Sequence, residues 1–265
     1  STVNWNFNNG KFWLGGSDSL WSTAANWSPS GAPGATDYVI FDGSTGSTAP
    51  ALTGSMTITG LTVDGPVTAT VNMAYGQILN VSNDVYIGAG AGLTHSAVTS
   101  TGSNPEDSRL LMHVGGTFTL LAGGTIDVSA KGYAVSQGPG AGSSLESDRG
   151  GGGHGGEGGN GYLGTGSGTT YGSITNPVRC GSGGSAFRGG GCVVLTVDGA
   201  ATINGMIAAK GQVNAGGRGG GAGGTVNIVA GTLSGAGTVT ANGEVGADAG
   251  GGGGGVRRGR RAGGG

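Results

Sequence analysis

His154 and Glu157 are the side chains whose types and spacing most suggest chemistry, an imidazole and a carboxylate three residues apart within Gly150–Leu163 (GGGGHGGEGGNGYL). Such a pair could share a metal ion or pass a proton. Asn160 and Leu163 continue the interval, with glycine at nearly every position between. That interval is the pitch of a polyproline-II-type helix, with three residues per turn and no internal hydrogen bonds. On it the two side chains share an edge but stand about 9 Å apart, from a rise of about 3.1 Å per residue. One metal ion cannot be ligated across that gap without another segment. The spacing therefore favours hydrogen bonding of His154 to a neighbouring Gly-rich backbone.

Other chemistry is thinly represented. His95 and His113 lie in unrelated sequence contexts. With 67 glycines, matches to Gly-x-Gly-x-x-Gly arise from composition and lack the strand-then-helix context of a dinucleotide site. The phosphate-loop and nucleophile-elbow patterns are absent, and the offsets of Gly123, Gly124 and Asp127 do not fit a calcium-binding nonapeptide. Hydrolysis of a polysaccharide would need paired carboxylates. The nearest candidates are Glu106–Asp107 and Glu146 with Asp148 and Arg149, all placed in loops and read as solvated charge. No catalytic residue, cofactor or metal is assigned.

The elements that must position these residues are strands. Hydrophobic residues make 35% of the chain, charged residues 10%, and the net charge is −2, which fits a folded, glycine-packed protein better than charge-driven disorder. Short apolar runs recur at Tyr38–Phe41, Met56–Ile58, Leu61–Val63, Val67–Val71, Ile78–Val81 and Val85–Ile87, separated by turn residues. A longer unit repeats at Thr117–Gly132, Val194–Gly211 and Thr225–Gly243, each copy followed by a Gly-rich excursion. Repeats of this kind predict a stacked fold. The expected class is all-β, a parallel β-helix or β-solenoid with the Gly-rich excursions packed as polyglycine-II-type helices. The expected division is a Trp-rich cap at 1–45, strand rungs at 46–137, a Gly-rich insertion at 138–191, and further rungs with a basic tail at 192–265.

All four tryptophans fall in the first 27 residues. Val3, Trp5 and Phe7 alternate with asparagines as in a half-buried strand, and Trp13, Trp21 and Trp27 follow. They are read as cap or assembly contacts; the other reading is an aromatic ligand platform. Cys180 and Cys192 are candidates for a disulfide, which would close a loop with little other packing. Their alternative is two buried thiols. Arg257, Arg258, Arg260 and Arg261 crowd the end of the chain and are read as a flexible terminus or truncation point rather than an anion-binding tail.

Residues 13–41, with Trp21, Ala24, Asn26-Trp27-Ser28, Pro33, Asp37, Val39 and Phe41, resemble the aromatic-anchored repeat of autotransporter-type and other bacterial surface β-helix proteins. Residues 115–255 resemble Gly-rich extracellular repeat proteins through the His-Gly-Gly stretch, Tyr171–Val178 and the alternation of sheet with polyglycine. The resemblance implies a secreted or cell-surface location. The function expected is non-catalytic, structural or adhesive, with copies assembling head to tail into a fibre or surface layer. The alternative is a glycan-binding or carbohydrate-active protein using Trp13, Trp21 or Trp27 as stacking platforms. Partners are then further copies or extracellular glycans and surfaces, without nucleic acid or a membrane span; no apolar run approaches the roughly 20 residues of a spanning helix.

Overall fold

The computed structural model describes residues 9–43, 48–101, 106–145, 148–212, 219–246 and 250–260. Val3, Trp5 and Phe7 lie outside the described residues. About 35% of the chain is strand, with a 3-10 turn at Ala24–Asn26.

The first strands are β1 (Gly10–Trp13), β2 (Trp27–Ser28) and β3 (Tyr38–Phe41). Nine short ones follow: β4 (Ala51–Thr53), β5 (Met56–Ile58), β6 (Gly60–Val63), β7 (Thr68–Asn72), β8 (Leu79–Val81), β9 (Val85–Ile87), β10 (Gly92–Thr94), β11 (Leu110–Val114) and β12 (Phe118–Leu120). After β13 (Thr125–Asp127) come the long β14 (Cys192–Ile203), β15 (Met206–Ala208), the long β16 (Thr225–Ser234), β17 (Thr238–Thr240) and β18 (Gly255–Arg260). The strands expected between Tyr38 and Ile87 are found at nearly the positions their short apolar runs mark.

These strands pair by returning to the same place. β4, β7, β10, β13, β15 and β17 form a six-stranded sheet, parallel throughout. The others form a twelve-stranded curled sheet, a half-barrel that is mixed because β1 meets β2 antiparallel. The expected β-solenoid with a polyglycine-II layer is therefore corrected to an open, curled sheet beside a smaller parallel one. One cause is visible in β14. Its first half pairs with β11 and its second half with β12, the register slipping only between Val197 and Ala200. β14 continues through Asp198 and Gly199, opposite the Gly115–Gly116 corner between β11 and β12, and so joins two rows into one sheet.

In-register pairing stacks like on like. Ile58, Val81, Val114, Val197 and Ala230 occupy one column across five strands, and all are buried. A three-residue strand offers only one or two inward side chains. Burying a Val, Leu or Ile is worth roughly 1.5–3 kcal/mol, so such strands persist only because a neighbour on each side presents the same column.

One end of the core is closed by aromatic rings. Trp13, Trp21 and Trp27 are buried around Phe41, with ring centroids 5.0–6.0 Å apart. Buried Asn26 organises the loop that carries them: its Oδ1 accepts from the Ser17 amide (3.0 Å), and its Nδ2 donates to Asp18 Oδ1 (2.7 Å) and the Leu20 carbonyl (3.0 Å).

The Gly-rich segments form a layer of their own. Gly152 donates to the Gly220 carbonyl (3.0 Å), Gly252 to Gly152 (2.7 Å), Gly153 to Gly140 (2.7 Å) and Gly223 to Gly252 (2.9 Å), so separate runs are hydrogen-bonded side by side. They are not straight three-per-turn helices. The chain doubles back so that Gly151 donates to Gly159 (2.9 Å), and it turns again where Gly164 donates to Gly161 (2.9 Å). The single shared edge expected for His154, Glu157, Asn160 and Leu163 is lost at those turns: His154 is 3% exposed, while Glu157, Asn160 and Leu163 face solvent.

Candidate functional site

The candidate acid–base and metal groups are held apart or already committed. His154 Nδ1 lies 2.9 Å from the Gly223 carbonyl and its ring packs 4.8 Å from Tyr171, while burial pushes its pKa down. Hydrogen bonding to a Gly-rich backbone is thus its observed role. Glu106 is 1% exposed rather than solvated. Its Oε1 accepts from Arg179 Nε (2.8 Å) and from the Cys180 amide (3.0 Å), and Arg179 also donates to the Tyr133 hydroxyl (3.1 Å). Asp107 accepts from the Thr99 amide (2.9 Å), and buried Asp148 accepts from the Thr165 hydroxyl. Among the described residues no group of three or more His, Cys, Asp or Glu could hold a metal ion.

This buried clamp was not legible in the sequence. Glu106 and Arg179 are 73 positions apart, and what joins them is the return of the Gly-rich layer over the loop that leads into β11. Cys180 and Cys192 belong to the same region. Both are buried as thiols in one small apolar cluster with Val98 and Tyr133.

The two ends of the strand rows differ in chemistry. At the first end the tryptophans are enclosed, and residues 19–21 lie along β4: Ala51 donates to Ser19 (2.6 Å) and accepts from Trp21 (3.0 Å). Asp18 and Asp42 are exposed here, and Lys11 is the one cationic residue in the first hundred positions. The other end is cationic. Of the arginines expected in a flexible terminus, Arg257, Arg258 and Arg260 instead belong to β18, which pairs in parallel with β16 from Gly255 to Arg260, while Arg261 lies outside the described residues. The correction has a simple origin: the register columns of β16 extend one strand further, which four arginines and a glycine run do not advertise.

Register decides where the charge goes. Leu79, Met112, Leu195 and Ile228 fill one core-facing column, and the next position in it is Arg258. Arg258 borders a cleft of about 190 Å³ with Ile203, Leu233 and Val239. An arginine can lay its stem on such apolar surface and keep the guanidinium in water. Charge at a core-facing position of an edge strand also rejects an ordinary apolar strand. Arg258 has no ion-pair partner among the described residues. No helix among the described residues is long and apolar enough to cross a membrane. No protein-family model, curated protein or solved structure matches this chain.

Proposed function

We propose that this protein is a non-catalytic structural module, working outside the cell, whose copies join end to end. The observation that carries this reading is Arg258, a cation at a core-facing position on β18, the last strand of its row. β17 ends the other sheet beside it. Unpaired strand edges recruit other chains, and the arginine restricts the recruit to an acidic surface. The aspartate-rich first end of a second copy supplies one. A head-to-tail contact of this kind does not close on itself, so it extends into a filament or layer. Glycan stacking on Trp13, Trp21 or Trp27 gains no support, because all three rings are enclosed.

Sedimentation velocity tests the reading. The protein is expected to form a concentration-dependent ladder of species at about 0.02 M ionic strength and to revert to monomer near 1 M, where the screening length falls to roughly 3 Å. Arg258→Glu should abolish the ladder, as should Asp42→Lys, and mixing the two variants should restore a dimer. A wild-type protein that stays monomeric at low salt, or a ladder that survives both charge reversals, would sink the proposal.

A further inference from the structure

The segment between the two cysteines folds back on itself. Gly184 donates to the Phe187 carbonyl (2.9 Å), and Gly181 donates to Gly190 (2.8 Å), which brings positions 180 and 192 side by side at the open end of this loop. Each cysteine is then pinned by its own backbone amide. Cys180 donates to buried Glu106 Oε1 (3.0 Å), and Cys192 donates to His95 Nε2 (3.0 Å), the imidazole being fully buried. Both side chains are 0% exposed and share one buried cluster with Val98 and Tyr133, where the Cys180 thiol also lies 3.9 Å from the Ser108 carbonyl. Two acceptors from distant loops thus fix both cysteine backbones, and both thiols are enclosed in the same small cluster.

We propose that Cys180 and Cys192 are a redox clasp, an intramolecular disulfide site that locks the Gly-rich layer onto the first residue of β14. With oxidised glutathione as oxidant, one cysteine thiolate attacks the glutathione disulfide and expels a glutathione thiolate. The second cysteine thiolate attacks the resulting mixed disulfide and expels the other. The protein loses two protons and two electrons, which together reduce the glutathione disulfide to two glutathione thiols. Burial pushes the Cys180 thiol well above its ordinary range, which keeps the attacking thiolate scarce while the layer is closed. The clasp therefore forms during folding or when the layer opens, and the closed layer protects whichever state it traps.

The test uses the whole chain, unfolded and then refolded by dilution with either a thiol reductant or oxidised glutathione. The expected oxidised product is a monomer two hydrogens lighter, with Cys180 and Cys192 in one linked peptide pair and neither open to alkylation after denaturation. Closing a loop of this size should slow amide exchange at Gly181–Gly191 by roughly 100-fold relative to the reduced form. Three results overturn the proposal: both cysteines alkylated after oxidative refolding, glutathione adducts or cross-linked dimers in place of the internal bond, or an internal bond that leaves exchange in the layer unchanged.

Discussion

Gly150→Ala is expected to destabilise the protein by at least about 3 kcal/mol, at the top of the range for overpacking. A methyl at Gly150 would overlap the carbonyl of Gly166, and the Gly150 carbonyl is itself in close approach to Gly219. The obstacle is backbone, so no rotamer change relieves it. Nor can one run move alone. Gly150 accepts from Ser185 (3.0 Å), Gly166 accepts from Ser143 (2.8 Å), and Gly168 donates to Gly151 (2.8 Å), so displacing either segment breaks bonds to two others. Gly253→Ala is the control, because nothing lies within 4 Å of a methyl there. Its effect should run from neutral to a stabilisation of up to about 1 kcal/mol, from the reduced freedom of the unfolded chain. Urea denaturation of both variants measures the difference. Equal midpoints would show that the glycines are merely a flexible filler.

Acidification should remove about 3 kcal/mol of stability through His95 alone. The Cys192 amide donates to Nε2, so the ring proton is on Nδ1, which donates to the Ser96 carbonyl (2.7 Å). The ring is neutral and fully enclosed. Burial pushes its pKa from 6.5 to about 4, with the Lys131 and Arg109 charges adding to the shift and the Ser96 bond opposing it. Between those values the unfolded chain takes up a proton that the native chain refuses, so stability rises with pH across the window. The contribution is complete above about 6.5 and gone below about 4; the size follows from about 1.4 kcal/mol per pKa unit. His154 is shifted in the same direction by burial and adds to the same slope. Urea melts at pH 7, 5.5 and 4 read this out. His95→Gln, which can still accept from Cys192, should flatten the slope, and an unchanged slope in that variant would assign the acid sensitivity elsewhere.

The strands were legible because their signal is local. Tyr38–Phe41, Met56–Ile58 and Val85–Ile87 form as their short apolar runs between turn residues indicate, since each needs only an apolar residue facing a core. The buried tryptophans were legible as a cluster by their crowding into the first 27 residues, although not the Asn26 network that seats them. The clamp of Glu106 with Arg179 and the neutral His95 depend on contacts 73 and 97 positions apart in sequence. A spacing rule does not reach them. For Glu106 the rule misled, because a charged loop residue reads as solvated until a Gly-rich segment covers it.

The residue pattern by itself determined that this chain is all-β, built of short strands, and packed through glycine. Alternation and composition act at each residue's own site, and neither depends on where the rest of the chain goes. Only the tertiary structure decided that β14 runs through a corner and fuses two rows into a curled sheet, that His154 and Glu157 part at a turn, and that Arg258 stands at a core-facing position. Those outcomes rest on register between strands far apart in sequence. A one-residue slip in register turns every side chain of a strand to the other face, and what holds the register is the column of neighbours that the completed sheet provides.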